Sequence, residues 1–479
     1  FIWEEFLINM EFNLFRCGAI EEASIDLRPL TVFVGQNNVG KTWAAFIISS
    51  IFNSAVWRQY SSKYASGALE EQYSQLDQTI ETLLQNGAAK FDLISFFSSE
   101  GKDFLNNIAR FSLQQLNAFL GSSRPDFSES DIKVDLTEGL PEFKKNIQMY
   151  PLKLTVGRGK SGVGLISAEK KTEDSEIYFY LTEDEDALHE LPDYIRRDFI
   201  TFVIISSFFK GFNNRTYYLP VERTGIFTFF RRGRNQKDPV IREENDISSP
   251  TISLAYPISD LINLKISAEH SFQNPDQREK DAKKDKYVQK YIDLSRVLEN
   301  DILEGDIFYS SDSPVFADDL LYRLSSDDKV VLDMPVVSSM VKDNTPLVLY
   351  LRYLAKFNDL ILIDEPEMNL HPRAQAKLIE FLSILVHNGL NVVITTHSPY
   401  IVDHLINLMQ AETLKDKESI CERFYLRSSD AFIPKEDVSV YLFEKKKVQN
   451  ILSSEGRINW ETFSRVSDEI MDLFIEDGE

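Results

Sequence analysis

Residues 35–42, GQNNVGKT, constrain this chain more than any other stretch, because they fit the phosphate-binding pattern G-x-x-x-x-G-K-[S/T]. The apolar run at residues 30–34 predicts a buried strand before the loop. Residues 43–57 are rich in apolar side chains, lack Pro and Gly, and predict a helix after it. In this context consecutive backbone N–H groups and the positive end of a helix face a phosphate. The pattern disfavours the alternative, an ordinary strand-to-helix turn with an exposed lysine.

The residues of the loop have separate predicted roles. Gly35 and Gly40 allow backbone geometry that a side chain would block. Lys41 is expected to reach the β- and γ-phosphates, and the Thr42 hydroxyl is expected to coordinate Mg²⁺. The predicted nucleotide-binding residues of the loop are Gly35, Gln36, Asn37, Asn38, Val39, Gly40, Lys41 and Thr42.

An acidic pair follows a second apolar run, LILI at residues 360–363. Four consecutive apolar residues indicate a parallel strand that is covered on both faces. The end of such a strand lies where ligands bind in parallel sheets. Asp364 is therefore predicted to hold Mg²⁺, directly or through water, and Glu365 to orient or deprotonate the attacking water. Without the glycine loop, the same residues would indicate an ordinary core strand.

A histidine follows a third predicted strand, NVVITT at residues 391–396. One predicted helix, residues 372–387, separates this strand from the acidic pair, which gives a single strand-helix-strand unit. His397 is then expected at the same sheet edge as Lys41 and Glu365, where an imidazole can bond a γ-phosphate oxygen. The predicted catalytic residues are accordingly Glu365 and His397, although a lone histidine after a strand is more often structural.

Together, GQNNVGKT, LILIDEPEMNLHP and VVITTHSP resemble the ATP-binding-cassette type of ATPase found in the OLD, RecF and SMC families. The resemblance implies an α/β fold: a P-loop ATPase head with a mixed sheet and flanking helices. Here the head is predicted to carry a compact α+β insertion and a small C-terminal extension. The resemblance also implies ATP and Mg²⁺ as cofactors, and two heads that clamp two ATP molecules between them.

In that class a serine-led segment at a helix start contacts the nucleotide held by the other head. The corresponding window here is VVSSMVK, residues 336–342, before a predicted helix over residues 346–355. Ser338, Ser339 and Lys342 are the predicted nucleotide contacts, with the two serines capping the helix. Met340 stands where glycine is usual, and a plain capped helix is the alternative. Residues 367–372 match the segment that contacts the partner head.

The same class carries a glutamine-bearing loop after a strand. Residues 217–223, YYLPVER, resemble the strand and loop of OLD-type ATPases, with Glu222 and Arg223 at the position of the glutamine. A strand ending in a salt-bridged Glu222–Arg223 pair accounts for the segment equally well.

Composition indicates a large globular protein. The chain has 479 residues, 43% of them hydrophobic, which suits two or more domains or one elaborated domain. No apolar stretch is long enough for a membrane span, and the opening FIWEE lacks the features of an export signal. The two cysteines, Cys17 and Cys421, suit neither a disulfide framework nor a zinc site. A cytoplasmic location is predicted.

The net charge of −23 opposes general binding to a phosphate backbone. Two segments are locally basic. Residues 231–234 with Lys237 form a loop that could touch nucleic acid, nucleotide phosphates or an acidic protein. Residues 278–290 are interpreted as a solvated helix face, since acids are mixed with the lysines. Nucleic acid is therefore a disfavoured partner.

More than three hundred residues separate Lys41 from the acidic pair, so a large insertion is predicted. Sustained heptads are lacking, which argues against a long coiled coil. Helices are predicted at 67–86, 102–120, 189–210, 277–302 and 460–475, antiparallel strands at 151–157, 162–168 and 176–181, and terminal strands at 423–426 and 438–443. The predicted division is 1–60 (first half of the ATPase core), 61–215 (mixed insertion), 216–334 (second insertion with return to the core), 335–420 (second half of the core) and 421–479 (C-terminal strands and helix).

The chain also resembles the stand-alone ATPase subunits of bacterial anti-phage systems such as PARIS and Septu. This resemblance implies a homo-oligomeric sensor or scaffold that controls a separate effector, a nuclease or a toxin, in response to a phage-derived trigger protein. The alternative is a RecF-like repair or recombination ATPase that clamps DNA. No membrane partner is expected.

Overall fold

The computed structural model describes residues 10–136, 140–156, 165–181, 192–229, 255–310, 319–327, 329–453 and 455–458. The basic loop at residues 231–234 with Lys237 and the predicted helix at 460–475 lie outside these ranges. None of the helices within them is both long and apolar enough to cross a lipid bilayer.

The strands, β1 to β16 in chain order, are Met10–Cys17, Ile20–Leu27, Leu30–Gly35, Ala88–Asp92, Asp131–Leu136, Leu152–Val156, Ile166–Lys170, Glu176–Leu181, Thr216–Leu219, Gly305–Ser310, Asp319–Leu324, Val331–Asp333, Leu360–Asp364, Asn391–Thr396, Val438–Glu444 and Lys447–Asn450. The α-helices, α1 to α16, are Lys41–Ile51, Ser54–Ala65, Ser74–Asn86, Leu93–Ser99, Gly101–Gln114, Leu116–Phe119, Leu140–Met149, Asp193–Lys210, Thr224–Phe229, Tyr256–Gln273, Pro275–Lys284, Lys286–Val297, Ser339–Leu349, Pro372–His387, Pro399–Glu412 and Lys417–Cys421.

The backbone forms two compact units, and one of them contains residues up to Leu27, Trp43–Tyr217 and Asn358–Leu360. Within it β1 pairs antiparallel with both β2 and β5. A separate antiparallel sheet has the order β4-β8-β7-β6. The rings of Phe96, Phe104, Phe143 and Phe208 are fully buried and pack against one another. Such aromatic contacts stabilise the helical part of this unit.

The second unit contains Arg28–Thr42, Tyr218–Phe357 and the chain from Ile361 onward. Its main sheet has the order β16-β15-β3-β14-β13. β3 runs parallel to β14 and β15, and Val32 lies opposite both Ile394 and Val440. β16 is antiparallel to β15, so the sheet is mixed. Every residue of β3, β13 and β14 is buried, as expected for strands covered on both faces.

Helices flank this sheet, and α14 packs against β14 and α15. The predicted α/β class, a mixed sheet with flanking helices, is thereby confirmed. The predicted strands at 30–34, 360–363 and 391–396 and the predicted helix at 372–387 are also confirmed. The three antiparallel strands expected between residues 151 and 181 form as β6, β7 and β8, and β4 joins them as an unpredicted fourth strand.

Several predicted helices have different bounds, in two cases because a single side chain caps a new helix. The helix expected over residues 43–57 is wrong, since α1 ends at Ile51 and the Asn53 side chain accepts the Ala55 N–H to start α2. The helix expected over 277–302 divides at Asp285, whose side chain accepts the Tyr287 N–H at the start of α12. It continues as a π-helical segment, Leu298–Leu303. The helices predicted at 67–86 and 102–120 begin later or divide, as α3 and as α5 with α6.

Two more predictions need correction. The helix expected from residue 346 begins at Ser339, keeps Pro346 inside it, and ends in a π-helical segment, Tyr350–Leu354. The strand expected at residues 423–426 is wrong, because this stretch forms a turn and bends. The N–H groups of Tyr425 and Leu426 donate to the buried Glu380 carboxylate, so this side chain takes the place of a neighbouring strand.

Candidate functional site

The glycine loop lies between β3 and α1 and depends on a close backbone approach. Gly35 has φ +146°, and a Cβ atom there would lie 2.4 Å from the carbonyl oxygen of Phe443 in β15. Gly40 also has a positive φ, +108°. Both positions therefore favour glycine. Between them Gln36, Asn37 and Asn38 are exposed, which leaves the loop accessible to a ligand.

Lys41 lies inside this loop with its ammonium group turned onto the loop backbone. The side chain is 5% exposed, and Nζ donates to the carbonyl oxygens of Gly35 (2.9 Å) and Gln36 (2.8 Å). Burial lowers the pKa of Lys41, while the nearby carboxylates of Glu365, Asp364 and Glu367 act to raise it. The loop thus places one cation next to three acids.

Thr42 and Asp364 meet although they are far apart in sequence. The Thr42 hydroxyl donates to the Asp364 carboxylate at 3.0 and 3.3 Å. Asp364 also accepts from the hydroxyls of Thr395 and Tyr218, the latter at 3.3 Å. Burial raises the pKa of Asp364, whereas the bonds from Thr395 and Thr42 lower it.

This oxygen pair fits Mg²⁺, which proteins usually hold through one or two carboxylates together with substrate phosphates and water. No group of three or more His, Cys, Asp or Glu side chains suited to a metal occurs within the described residues. The Thr42 hydroxyl and the Asp364 carboxylate are the groups that would hold Mg²⁺, and the nucleotide would supply the other ligands.

Glu365 has an unusual backbone conformation, with φ +47°. Its N–H donates to the carbonyl oxygen of Thr395 at 3.1 Å, and its own carbonyl accepts from Arg223 at 3.0 Å. The side chain is 21% exposed, and Oε1 lies 3.5 Å from Nδ1 of His397. The carboxylate is thus partly open to solvent and next to the predicted histidine.

Glu367 is a third acid of the site and was not among the predicted catalytic residues. Its side chain is 3% exposed. Oε1 accepts from the Thr396 hydroxyl (2.5 Å) and the His397 N–H (3.0 Å), while Oε2 is buried with no hydrogen-bond partner among the described residues. Nδ1 of His397 lies 3.7 Å from Oε1. Burial raises the pKa of Glu367. Glu367 therefore fixes the chain at the end of β14.

Arg223 was also missed as a contact of the acidic pair. It is 1% exposed and donates to four carbonyl oxygens, those of Asp364 (2.6 Å), Glu365 (3.0 Å), Pro220 (2.9 Å) and Asp343 (2.8 Å). Glu222 is exposed, and within the described residues no ion pair joins it to Arg223. The salt-bridged Glu–Arg pair considered from the sequence is therefore wrong.

The serine-led segment has its own contacts. Ser338 starts α13 by accepting the Val341 N–H at 3.4 Å, and Lys342 donates to the Pro335 carbonyl oxygen at 2.8 Å. In the part of the chain that the structure describes, no hydrogen bond joins Ser338, Ser339 or Lys342 to the loop at residues 35–42. Their predicted contact with a nucleotide stays a prediction.

The structure brings together Lys41, Thr42, Asp364, Glu365 and His397. Four residues that were not predicted contact these side chains or their neighbours: Tyr218, Arg223, Thr395 and Glu367. The available signals were two hydroxyl residues that end an apolar strand, and Arg223 in the segment where the resemblance implies a glutamine.

Comparison with known proteins agrees with this geometry. The profile of the family described as AAA ATPase domain (AAA_15) matches residues 9–402. A solved SMC head bound to the C-winged helix domain of ScpA shares 9% identity and a TM-score of 0.36, covering 94% of this chain and 99% of that one.

A second structure is an Smc head domain with an extended coiled coil, bound to the C-terminal domain of ScpA, from Pyrococcus furiosus. It shares 9% identity and a TM-score of 0.32, covering 97% and 99%. These two likenesses are too distant to add to the assignment. No curated protein sequence matches the chain. Because the family match spans most of the chain and includes the loop, the acidic pair and the histidine, the chain belongs to the AAA ATPase domain family and is an ATPase.

Proposed function

We propose that this ATPase is Mg²⁺-dependent and works in the cytoplasm as a sensor or scaffold subunit that controls a separate nuclease or toxin in bacterial anti-phage defence. The observation that carries the catalytic part is the meeting of Lys41, the Thr42–Asp364 pair and the Glu365–His397 pair in one unit. The defence role is supported by the resemblance of the three motifs to stand-alone ATPase subunits.

Residues 35–42 bind the triphosphate of ATP in this proposal. Lys41 contacts the β- and γ-phosphates, and Thr42 and Asp364 hold Mg²⁺. Bound Mg²⁺ neutralises charge that develops on the transferred phosphoryl group. The hydroxyl donors on Asp364 keep its carboxylate in one orientation, although its burial opposes ionisation.

Glu365 accepts a proton from the attacking water or orients that water for in-line attack, because its carboxylate is partly exposed at the edge of the site. His397 donates a hydrogen bond to a γ-phosphate oxygen and reports its presence. Both roles require the chain at the ends of β13 and β14 to stay fixed. The hydrogen bonds of Glu365 to Thr395 and of Glu367 to His397 support this arrangement.

Substitution of Lys41 tests the binding part of the proposal. Lys41→Ala removes a charge-assisted contact with phosphate and should raise the Kd for ATP about 10- to 100-fold. Lys170→Ala is the matched control, since Lys170 is also buried (2% exposed) and donates to backbone carbonyls, those of Tyr150 and Lys171. Calorimetric titration should show native affinity for Lys170→Ala. Equal affinity losses in both variants would contradict a phosphate contact by Lys41.

The oligomer and the effector are tested together. The untagged genomic neighbour should co-purify with this chain, and the mass of the complex should correspond to at least two ATPase copies. Recovery of a single ATPase copy alone, with duplex-DNA binding that weakens steeply as salt increases, would instead support the RecF-like alternative.

The predicted segment boundaries at residues 60, 215, 334 and 420 also remain proposals.

A further inference from the structure

We propose that Arg223 is a positioning residue of the ATPase reaction: its guanidinium fixes the backbone of Asp364 and Glu365 and thereby aims the Glu365 carboxylate. This inference rests on the proposed role of Glu365 in activating water. The hydrogen bonds of Arg223 go to protein carbonyl oxygens, so it acts through its neighbours and not on the nucleotide.

The backbone of Glu365 has a conformation that needs external support. A φ of +47° is uncommon for a residue with a side chain, and such a conformation persists only where the surroundings enforce it. The N–H of Glu365 is held by the carbonyl oxygen and the hydroxyl of Thr395, both at 3.1 Å. Arg223 Nη2 holds the carbonyl at 3.0 Å. The N–H and the carbonyl oxygen of Glu365 are therefore held by two different segments, the N–H by Thr395 in β14 and the carbonyl oxygen by Arg223 after β9.

The guanidinium suits this task because it is planar and donates from several nitrogens at once. Nη1 and Nη2 of Arg223 bind the adjacent carbonyls of Asp364 and Glu365. A planar fork that binds two successive carbonyls restricts rotation of the peptide between them. Because Arg223 is 1% exposed, water cannot readily replace these bonds.

Arg223 also ties the acidic pair to two other segments. Nη1 donates to the Pro220 carbonyl oxygen at the end of β9, and Nε donates to the Asp343 carbonyl oxygen in α13. The same stretch supplies Tyr218, whose hydroxyl donates to the Asp364 carboxylate. Residues 218–223 therefore hold the acidic pair through two side chains, one bound to its backbone and one to its carboxylate.

A purely structural arginine is the competing explanation, and the chain contains one for comparison. Arg278 is 7% exposed and donates to the carbonyl oxygens of Leu351 (3.1 Å), Arg352 (3.1 Å) and Ala355 (3.0 Å). It thus makes the same kind of contacts as Arg223, but with carbonyl oxygens of residues 351–355 at the end of a π-helical segment. Arg278 is the matched control.

The test compares Arg223→Lys with Arg278→Lys in the full chain. Lysine keeps the charge and can still donate, but it lacks the planar fork. For Arg223→Lys we expect kcat to fall about 10- to 100-fold, because a displacement of about 1 Å at a reacting group has an effect of that size. The KM for ATP should change by less than about threefold, since the substitution does not alter how ATP binds in the ground state. Arg278→Lys should lose a similar amount of thermal stability while keeping its kcat.

Equal kcat values for the two lysine variants would overturn the proposal, as would a change confined to KM. Should Arg223→Lys fail to fold, Arg223→Gln takes its place in the same comparison, because the amide keeps two N–H donors and buries no charge. Glu365→Gln distinguishes a failure of the proposed role of Glu365 from a failure of the proposed role of Arg223. If it hydrolyses ATP at the native rate, the proposed function of Glu365 fails. If it is inactive while Arg223→Lys behaves like Arg278→Lys, only the role of Arg223 fails.

Discussion

The three acids of the site differ in how their charge is compensated. Asp364 is buried but accepts hydrogen bonds from three hydroxyls, those of Thr42, Thr395 and Tyr218. Glu365 is partly exposed. Glu367 is buried, and one of its oxygens lacks a partner among the described residues. Burying a carboxylate without full hydrogen bonding is unfavourable, so Glu367 is the acid whose charge the fold stabilises least.

The stability of the protein should therefore depend on pH through Glu367. Burial raises the pKa of Glu367 in the folded state. The contribution of this side chain to folding stability is therefore complete below the ordinary glutamate pKa, and it is lost as pH rises through the folded-state pKa. Glu367→Gln resembles the protonated acid and does not titrate. We expect this variant to gain stability relative to the native chain as pH rises above the ordinary glutamate pKa.

Urea unfolding at a series of pH values measures this difference. Glu81→Gln is the control, because Glu81 is exposed and its substitution should produce no such trend. A stability difference for Glu367→Gln that stays constant with pH, or that grows as pH falls, would contradict the explanation.

At the scale of elements, the hydrophobic pattern predicted the buried strands, because these depend on local sequence. Residues 30–34, 360–363 and 391–396 are nearly continuous apolar runs, and each forms a buried strand. Helix ends were harder to predict, because a single side chain decides them. Asn53 and Asp285 each cap a new helix inside a stretch that otherwise favours one long helix.

The same distinction applies to the site. The loop, the acidic pair and the histidine were predictable because each is contained in a short motif. Arg223 and Tyr218 were not, since their roles depend on contacts with Asp364 that span 141 and 146 positions of sequence. Glu367 lies beside the predicted pair, but its function as an acceptor for His397 exists only after β13 and β14 are placed side by side.

The glycine loop provides a prediction at this scale, because β3 and β15 approach too closely at Gly35 for a side chain. Gly35→Ala should lose about 2–4 kcal/mol of stability from backbone strain and overpacking. The added Cβ would meet the Phe443 carbonyl oxygen at 2.4 Å. Gly67→Ala is the control: Gly67 also has a positive φ, +70°, but a Cβ added there would have none of the described atoms within 4 Å.

Chemical denaturation of both variants separates the stability lost to backbone strain from the stability lost to the close contact with Phe443. Gly67→Ala should lose only the strain component, about 1–2 kcal/mol. If the two alanine variants lost the same stability, the close approach of β15 would not be what requires glycine at position 35.

At the scale of the whole molecule, the residues of the candidate site belong to one of the two compact units. The phosphate loop lies in the Arg28–Thr42 part of this unit. The acidic pair and the histidine lie in the part that begins at Ile361. The site contacts described above, from the loop to His397, therefore form within a single unit. The predicted second set of nucleotide contacts, by Ser338, Ser339 and Lys342, requires another copy of the chain.

Mixing two inactive variants tests this requirement. Lys41→Ala damages the loop, and Lys342→Glu damages the serine-led segment. In a mixed dimer of symmetric copies, one site carries both defects and the other is intact, so about a quarter of the native activity should return. Phosphate release by the mixture should exceed the sum of the separate variants. A mixture no more active than that sum would remove the serine-led segment from the nucleotide site.

The most direct test of the central claim is to measure ATP binding and phosphate release on one preparation of Glu365→Gln. The amide keeps the size of the side chain but cannot accept the proton of the attacking water. We predict a Kd for ATP within about threefold of the native value and phosphate release slowed at least about 100-fold, the usual contribution of a general base. Release at the native rate with unchanged binding would contradict the central claim that Glu365 activates the attacking water.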